Sequence, residues 1–394
     1  MYNLDQVETE IYQISPQFTI AESYHKKLES LKSKTQPEGY NSIYENEKNK
    51  EITESKLKSQ KNNLRDKPKK KEFDKKLCPG VLITNEEFNG FHFNQNVNEA
   101  ELKFGEFNLD EKETQKYLNQ INCDLKKFQL RLKNGSIYIG YMDSDWNMAG
   151  YGILIKSDGT KYEGTFKNNS FWGKGRIIDA QGNCYEGEFK SNKPNGYGKL
   201  IKKNGATYIG QWKNNKQHGE GEEIFPDGSR YVGPFFLGNK NGYAKMNWPD
   251  GSSYEGNFSN NNFEGMGTYR WKDGRKYKGY WKDKKMEGIG FYEWPDKIRY
   301  YGQFHNDMKN GFGILISSRD KKYEGEWRNG KQNGYGIVYD GNQVEFAFFK
   351  KGTKEYSLNI DENQEIYKNL IFEINKLKQH ENFKSEHLTE NIPS

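Results

Sequence analysis

One spacing constrains this chain more than anything else in it. Tyr-x-Gly begins at Tyr138, Tyr162, Tyr185, Tyr208, Tyr231, Tyr254, Tyr277, Tyr300 and Tyr323. The first interval is 24 residues and the other seven are all 23. Self-similarity at a fixed period of this size is the signature of a stacked repeat architecture.

The rest of each unit keeps the same phase. Four residues after the Tyr stands Phe166, Phe189, Trp212, Phe235, Phe258, Trp281, Phe304 or Trp327, with Met142 in the first unit. A Gly-x-Gly pair follows, as at Gly173/Gly175, Gly219/Gly221 and Gly288/Gly290, and one unit has Ala244 at the second place. A turn sequence such as PDGSRY (226–231) precedes the next Tyr. Residues i, i+2 and i+4 of a strand share a face, so Tyr323, Gly325 and Trp327 point one way. The central Gly leaves room for a ring from the next unit to lie on the backbone. Gly-x-Gly is expected at the tight turn, where positive φ is needed, and Pro-Asp-Gly at the turn between units. Each unit is therefore one β-hairpin. A lone hairpin is marginal in water, so the units must pair in series. The expected fold is all-β: an elongated antiparallel ribbon of stacked 23-residue hairpins with short helical or disordered flanks. Eighteen strands at ~4.8 Å give roughly 85 Å of twisted ribbon.

Composition agrees. Only 33% of residues are hydrophobic while 15% are aromatic and 41 are glycine, which suits a thin aromatic sheet and not a thick aliphatic core. The net charge of +6 is too small to imply nucleic acid on its own. Cys78, Cys123 and Cys184 are odd in number and scattered, which predicts a reducing compartment without disulfides or structural zinc. The start MYNLDQVETE does not read as a signal peptide, and no apolar run reaches membrane-spanning length.

YEGEWRNGKQNGYGIVYDG (323–341) and YIGQWKNNKQHGEGEEIFPDG (208–228) resemble MORN repeats almost residue for residue. The repeat positions that carry the resemblance are Tyr162, Gly164, Tyr185, Gly187, Tyr208, Gly210, Trp212, Tyr231, Gly233, Tyr254, Gly256, Tyr277, Gly279, Trp281, Tyr300, Gly302, Tyr323, Gly325 and Trp327. The pattern is broken by the inserted residue of the first unit, by Ala244, and by Lys297 and Asp320 where a turn Gly is lost.

The flanks divide the chain further. Residues 1–80 form a charged, mostly disordered segment with a helix expected near 18–34. Its basic run RDKPKKKEFDKK (65–76) reads either as a solvated linker or as an anchor for an acidic surface. Residues 81–124 suggest a small cap, with a helix at DEKETQKYLNQI, and 125–352 hold the array, ending in the worn half-repeat VEFAFFKKG (344–352). Residues 353–394 hold a helix over 361–382 with Asp361 as N-cap and Tyr367, Leu370, Ile371, Ile374 and Leu377 as its stripe. That helix caps the last hairpin or docks to a partner or a second copy.

No catalytic constellation is present: the six histidines lie apart, without HExxH, and His218 and His305 read as exposed turn residues. The Gly-x-Gly strings open strands, so they cannot aim a helix N-terminus at phosphate. These readings assign no catalytic, cofactor-binding or metal-binding residues. One further column stands out. Phe225, Trp248, Trp271 and Trp294 follow their tyrosines by 17 residues, in four consecutive units. They pack against the neighbouring hairpin or line a partner groove.

The resemblance implies a non-catalytic scaffold in the cytoplasm and cytoskeleton, binding proteins of a larger assembly, other MORN proteins or a second copy. Ciliary and axonemal proteins, radial-spoke heads among them, are one such group. A membrane-proximal adaptor for acidic lipids and an accessory subunit of a separate enzyme are the alternatives. Interleaved acids speak against nucleic acid.

Overall fold

The computed structural model describes residues 73–380, apart from 90–93, 106, 108, 110–114, 116–123, 319 and 320. Compactness divides the chain at Lys69/Lys70, and every described residue belongs to the second unit. The helix expected near 18–34, the one expected at 110–121 apart from Gln115, and most of the basic run lie outside the described residues.

Among the described residues, 23 strands, from β1 (Gly80–Leu82) to β23 (Thr353–Ser357), form one antiparallel sheet in which each strand pairs with its sequence neighbours, except that β12 and β13 both pair with β11. The all-β ribbon expected from the repeat is the fold observed. It runs further than the array: β1 precedes residues 125–352 and pairs with β2 (Lys126–Leu132), and β23 follows them.

Each unit is a hairpin, as β14 (Ser253–Ser259) and β15 (Asn262–Arg270) show. The tight turn, however, is not made by Gly-x-Gly. It is made by Asn260 and Asn261, with φ 46° and 69°, the two left-handed residues a type I′ turn requires. Asn tolerates that conformation better than most residues. The first glycine of the pair, Gly265 (φ 73°), lies four residues beyond the turn, in a bulge where 264–266 face Asn257 alone. Turns between units follow the expected chemistry. Phe225 N–H donates to Ser229 O (2.8 Å), Gly228 N–H donates to Phe225 O (3.0 Å), and Ser229 N–H donates to Asp227 Oδ1 (2.9 Å). Where the turn Gly is missing, Lys297 takes φ 69° instead.

The turn asparagines also tie one unit to the unit before it. Asn261 N–H donates to Lys240 O (3.1 Å), and its Oδ1 accepts from Lys240 N–H (2.8 Å). Asn192 repeats this with Phe171, and Asp307 with Met286.

The core lies on one face. Each repeat Tyr lies flat over the glycine two residues ahead and over the glycine facing it across the strand pair. A Cβ at Gly175 would sit 2.5 Å from the Tyr162 hydroxyl, and one at Gly267 would sit 2.3 Å from that of Tyr254. The ring over the glycine thus belongs to the same unit, not to the next one. In all nine units the hydroxyl donates to the carbonyl three residues on, at 2.7–3.1 Å. The facing glycines form one file across the sheet, broken at Ala244 and ended by Ala347 opposite Gly336. Aromatics four residues on stand edge-to-face between successive tyrosines, with centroids 5.0–5.7 Å apart, unbroken from Tyr138 to Phe349. Such pairs contribute roughly 0.5–1.5 kcal/mol each beyond burial. Where the upright ring is Trp, its Nε1–H donates to a glycine carbonyl of the preceding unit, as Trp281 does to Gly267 O at 3.1 Å.

The inserted residue of the first unit lengthens its turn and places Trp146 at φ 64°, where Nε1–H donates to Asp74 O (2.8 Å). Trp146, Phe128 and Phe73 close this end of the core with mutual centroid distances of 4.8–5.3 Å.

Two helices cover the opposite face at its ends. α1 (Asn85–Asn89) is a short turn, and α2 (Gln95–Phe104) buries Val97 and Ala100 against Ile178 and Cys184. α3 (Gln364–Gln379) buries Leu370, Ile374 and Leu377 against Phe291, Tyr301, Ile314, Ile337 and Phe346. Its N-cap is Asn363, not Asp361, and no side chain caps it. It lies on the sheet face. Beneath it the buried Glu324 holds both Lys322 (2.9 Å) and Lys378 of the helix (2.8 Å).

Candidate protein-interaction surface

The Tyr face is a single layer, and its outermost members are the candidate contact residues. Phe225, Trp248, Trp271 and Trp294 all sit on this face, half-buried and packed against the core. Trp248 lies against Phe263 (6.2 Å) and Tyr269 (5.4 Å), Trp271 between Tyr269 (4.6 Å) and Tyr292 (5.5 Å), and Trp294 on Tyr292 (4.4 Å). The column is therefore part of the packing and also leaves ring surface free.

What the column packs on was not visible as a pattern, because residue type varies there. Nine residues after the Tyr, in four of the units, the side chain folds back over the Tyr ring. Phe171 stacks on Tyr162 at 3.7 Å and Phe263 on Tyr254 at 3.8 Å. Lys240 and Lys309 occupy the same place. Lys240 lies 4.7 Å from the Phe225 centroid and 5.0 Å from Tyr231, and pairs with Glu223 at 2.6 Å. Lys309 lies over Trp327 (4.4 Å), Trp294 (5.1 Å) and Tyr300 (5.2 Å). Among the described residues no carboxylate pairs with Lys309, and burial pulls its amine down to about 8. Arg275 adds a third cation, 5.2 Å from the Trp271 centroid and paired with Asp273. The surface is thus an aromatic strip edged by cations, with rings supplying the area and the charges supplying direction.

Residues 162–184, 185–207, 208–230, 231–253, 254–274, 277–299, 300–319 and 323–343 each match the MORN repeat. This chain is a MORN-repeat protein. No curated protein matches its sequence. Among solved structures, the SAS-4 (dCPAP) TCP domain of Drosophila melanogaster, in complex with a proline-rich motif of Ana2, is 13% identical over 38% of this chain and 81% of that one, with a TM-score of 0.25. The G-box domain of the microcephaly protein CPAP is 12% identical over 57% and 100%, at 0.23. The TCP10 domain of Danio rerio CPAP, in complex with a STIL peptide, is 11% identical over 59% and 99%, at 0.19. Likenesses this weak carry no argument about the MORN-repeat protein.

The MORN array brings together no group of three metal-ligating side chains among its described residues. His305 is exposed and pairs with Glu287 at 2.9 Å. His218 departs from expectation: its Nδ1 is buried, and its ring lies 5.6 Å from Phe236. No described helix is long and apolar enough to cross a membrane.

Proposed function

We propose that this MORN-repeat protein is a non-catalytic scaffold that holds other proteins of a cytoskeletal assembly along its Tyr face, in a cilium or axoneme. The observation that carries the reading is the half-buried column Phe225, Trp248, Trp271 and Trp294. It runs through four consecutive units and is flanked by Lys240, Arg275 and Lys309. A rigid sheet presenting the same ring at intervals of two strands offers a partner several equivalent anchor points, and large aromatics in such settings dominate binding. The cytoskeletal and ciliary part rests on resemblance to other MORN proteins.

The test is fractionation of tagged protein from its own cells, detergent first and high salt second. Retention through detergent with release by salt supports the scaffold. Release by detergent together with membranes overturns it in favour of a membrane-proximal adaptor. A Trp248→Ala, Trp271→Ala double variant should lose its co-fractionating proteins while still melting cooperatively. Collapse of the melt before any loss of partners would leave these rings as core only.

A further inference from the structure

The hairpin-turn edge carries a second surface, on the opposite side of the backbone from the Trp column and independent of the scaffold reading. Lys167, Lys190, Lys193, Lys213 and Lys216 flank three successive type I′ turns, at Asn168–Asn169, Ser191–Asn192 and Asn214–Asn215. All five are exposed, and none pairs with a carboxylate among the described residues. Arg176, Arg230, Lys240, Arg275, Lys322 and Lys354 each hold a carboxylate within 3.0 Å.

The units differ ten residues after each Tyr. In two later units that position is Glu264 or Glu287, and in the other three it is Asn241, Asn310 or Asn333. Glu264 accepts from Asp283 N–H (3.1 Å), and Glu287 accepts from Asn306 N–H (3.1 Å) and holds His305. These acids, with Asp283 and Asp307, add negative charge to the stretch of edge that carries Lys282, Lys284 and Lys285. In the three early units the position is Trp172, Asn195 and His218, so it carries no acid beside the edge lysines. Lys167 and Lys190 rest over the Trp172 ring, at 5.2 and 6.0 Å.

A shallow depression opens between Lys190 and Lys213, lined also by Asn195, Tyr197, Gln211 and His218. His218 Nδ1 is buried there with no hydrogen-bond partner. Tyr197 is 53% exposed and the nearby Phe236, against His218, is 56% exposed. Leu237 beside it is exposed in a left-handed turn conformation (φ 50°), where most other units have Asn, Asp or Ser. Glu188, on the adjacent strand, accepts from Tyr197 N–H at 3.3 Å.

We propose that this edge binds an acidic, extended polypeptide segment, with carboxylates over Lys190, Lys193, Lys213 and Lys216 and an apolar side chain between Tyr197 and Phe236. The cations stand in single file, pairs about 10 Å apart at two-strand intervals, which neutralises a chain better than a plane. The amides of Asn195, Asn214 and Gln211 suit backbone peptide groups.

The experiment uses the full chain and fluorescence anisotropy. The probe is a labelled twelve-residue peptide of alternating Glu and Ser with one central Phe; controls are its Gln counterpart, a twelve-residue oligouridylate and phosphatidylserine-containing vesicles. The acidic peptide should bind and weaken as salt rises, and the Gln peptide should not bind. Lys190→Glu with Lys213→Glu should weaken binding at least tenfold at an unchanged melting temperature, and Lys190→Gln with Lys213→Gln should weaken it less. The proposal is overturned by absence of binding, by equal loss in Lys282→Glu with Lys285→Glu, or by tighter binding of the oligonucleotide or the vesicles.

Discussion

The Tyr277 hydroxyl donates to the Tyr280 carbonyl at 2.9 Å, across the backbone of its own strand, with the ring lying over Gly279 and Gly290. Two separate contributions meet in this arrangement, and substitution separates them. Tyr277→Phe keeps the ring between Trp281 (5.0 Å) and Phe304 (5.1 Å) and loses only the hydrogen bond. The expected loss is about 1 kcal/mol in denaturant unfolding. Tyr277→Ala removes the ring and breaks the edge-to-face chain, for an expected loss of about 3–5 kcal/mol. Equal effects of the two substitutions would show that the ring contributes little.

The glycine under the ring gives the converse test. A Cβ at Gly290 would sit 2.4 Å from the Tyr277 ring, so Gly290→Ala should destabilise by about 1–3 kcal/mol. The array already contains one such alanine, Ala244, facing Gly233. There the Tyr231 hydroxyl stands 3.2 Å from the Gly233 Cβ position, against 2.4–2.7 Å at most equivalent sites, and the strand is broken at Asn241 into β12 (Asn239–Lys240) and β13 (Gly242–Asn247). The sheet has adjusted locally, so Ala244→Gly should change the melting temperature by much less than Gly290→Ala.

The fold was legible because the period, the Tyr and the glycines are each required by the same geometry in every unit, and strand alternation turns them into faces. Two things were not. Gly-x-Gly looks like turn chemistry, yet the turn is made by the variable Asn, Ser, Asp and Lys pairs before it, since type I′ needs φ rather than one residue type. The residue nine places after Tyr is Phe, Pro, Gln, Lys or Met. The role it takes as Phe or Lys, lying over the ring, depends on where the bulged strand carries it. The Trp column was visible as spacing, but the Lys240 and Lys309 cations beside it were not.

Lys309 makes a prediction through pH. Burial lowers its amine to about 8, so the protonated form is disfavoured in the folded chain relative to the unfolded one. That penalty is complete at pH values below 8 and fades as pH rises from there toward the ordinary value of 10.5. Met286 fills the same place one unit earlier and is buried. Lys309→Met should therefore stabilise at pH 7, on the order of 1 kcal/mol, with the gain shrinking by pH 9.5. A gain that does not change between these pH values would assign the effect to packing.

The tyrosines set the alkaline limit. Burial raises the phenols of Tyr138, Tyr185, Tyr208, Tyr231, Tyr254, Tyr277, Tyr300 and Tyr323 well above the ordinary 10. A group whose folded value is raised contributes stability that is intact below its unfolded value and is lost as pH climbs past it. Eight such groups act together in one sheet, so stability should hold to about pH 10 and then fall steeply. Phenolate absorbance should rise in the same narrow interval as the loss of circular dichroism, because the rings ionise only when the strands separate. Gradual phenolate formation ahead of unfolding would mean that the rings reach water in the folded array, and that their hydroxyl bonds to the backbone are not maintained in solution.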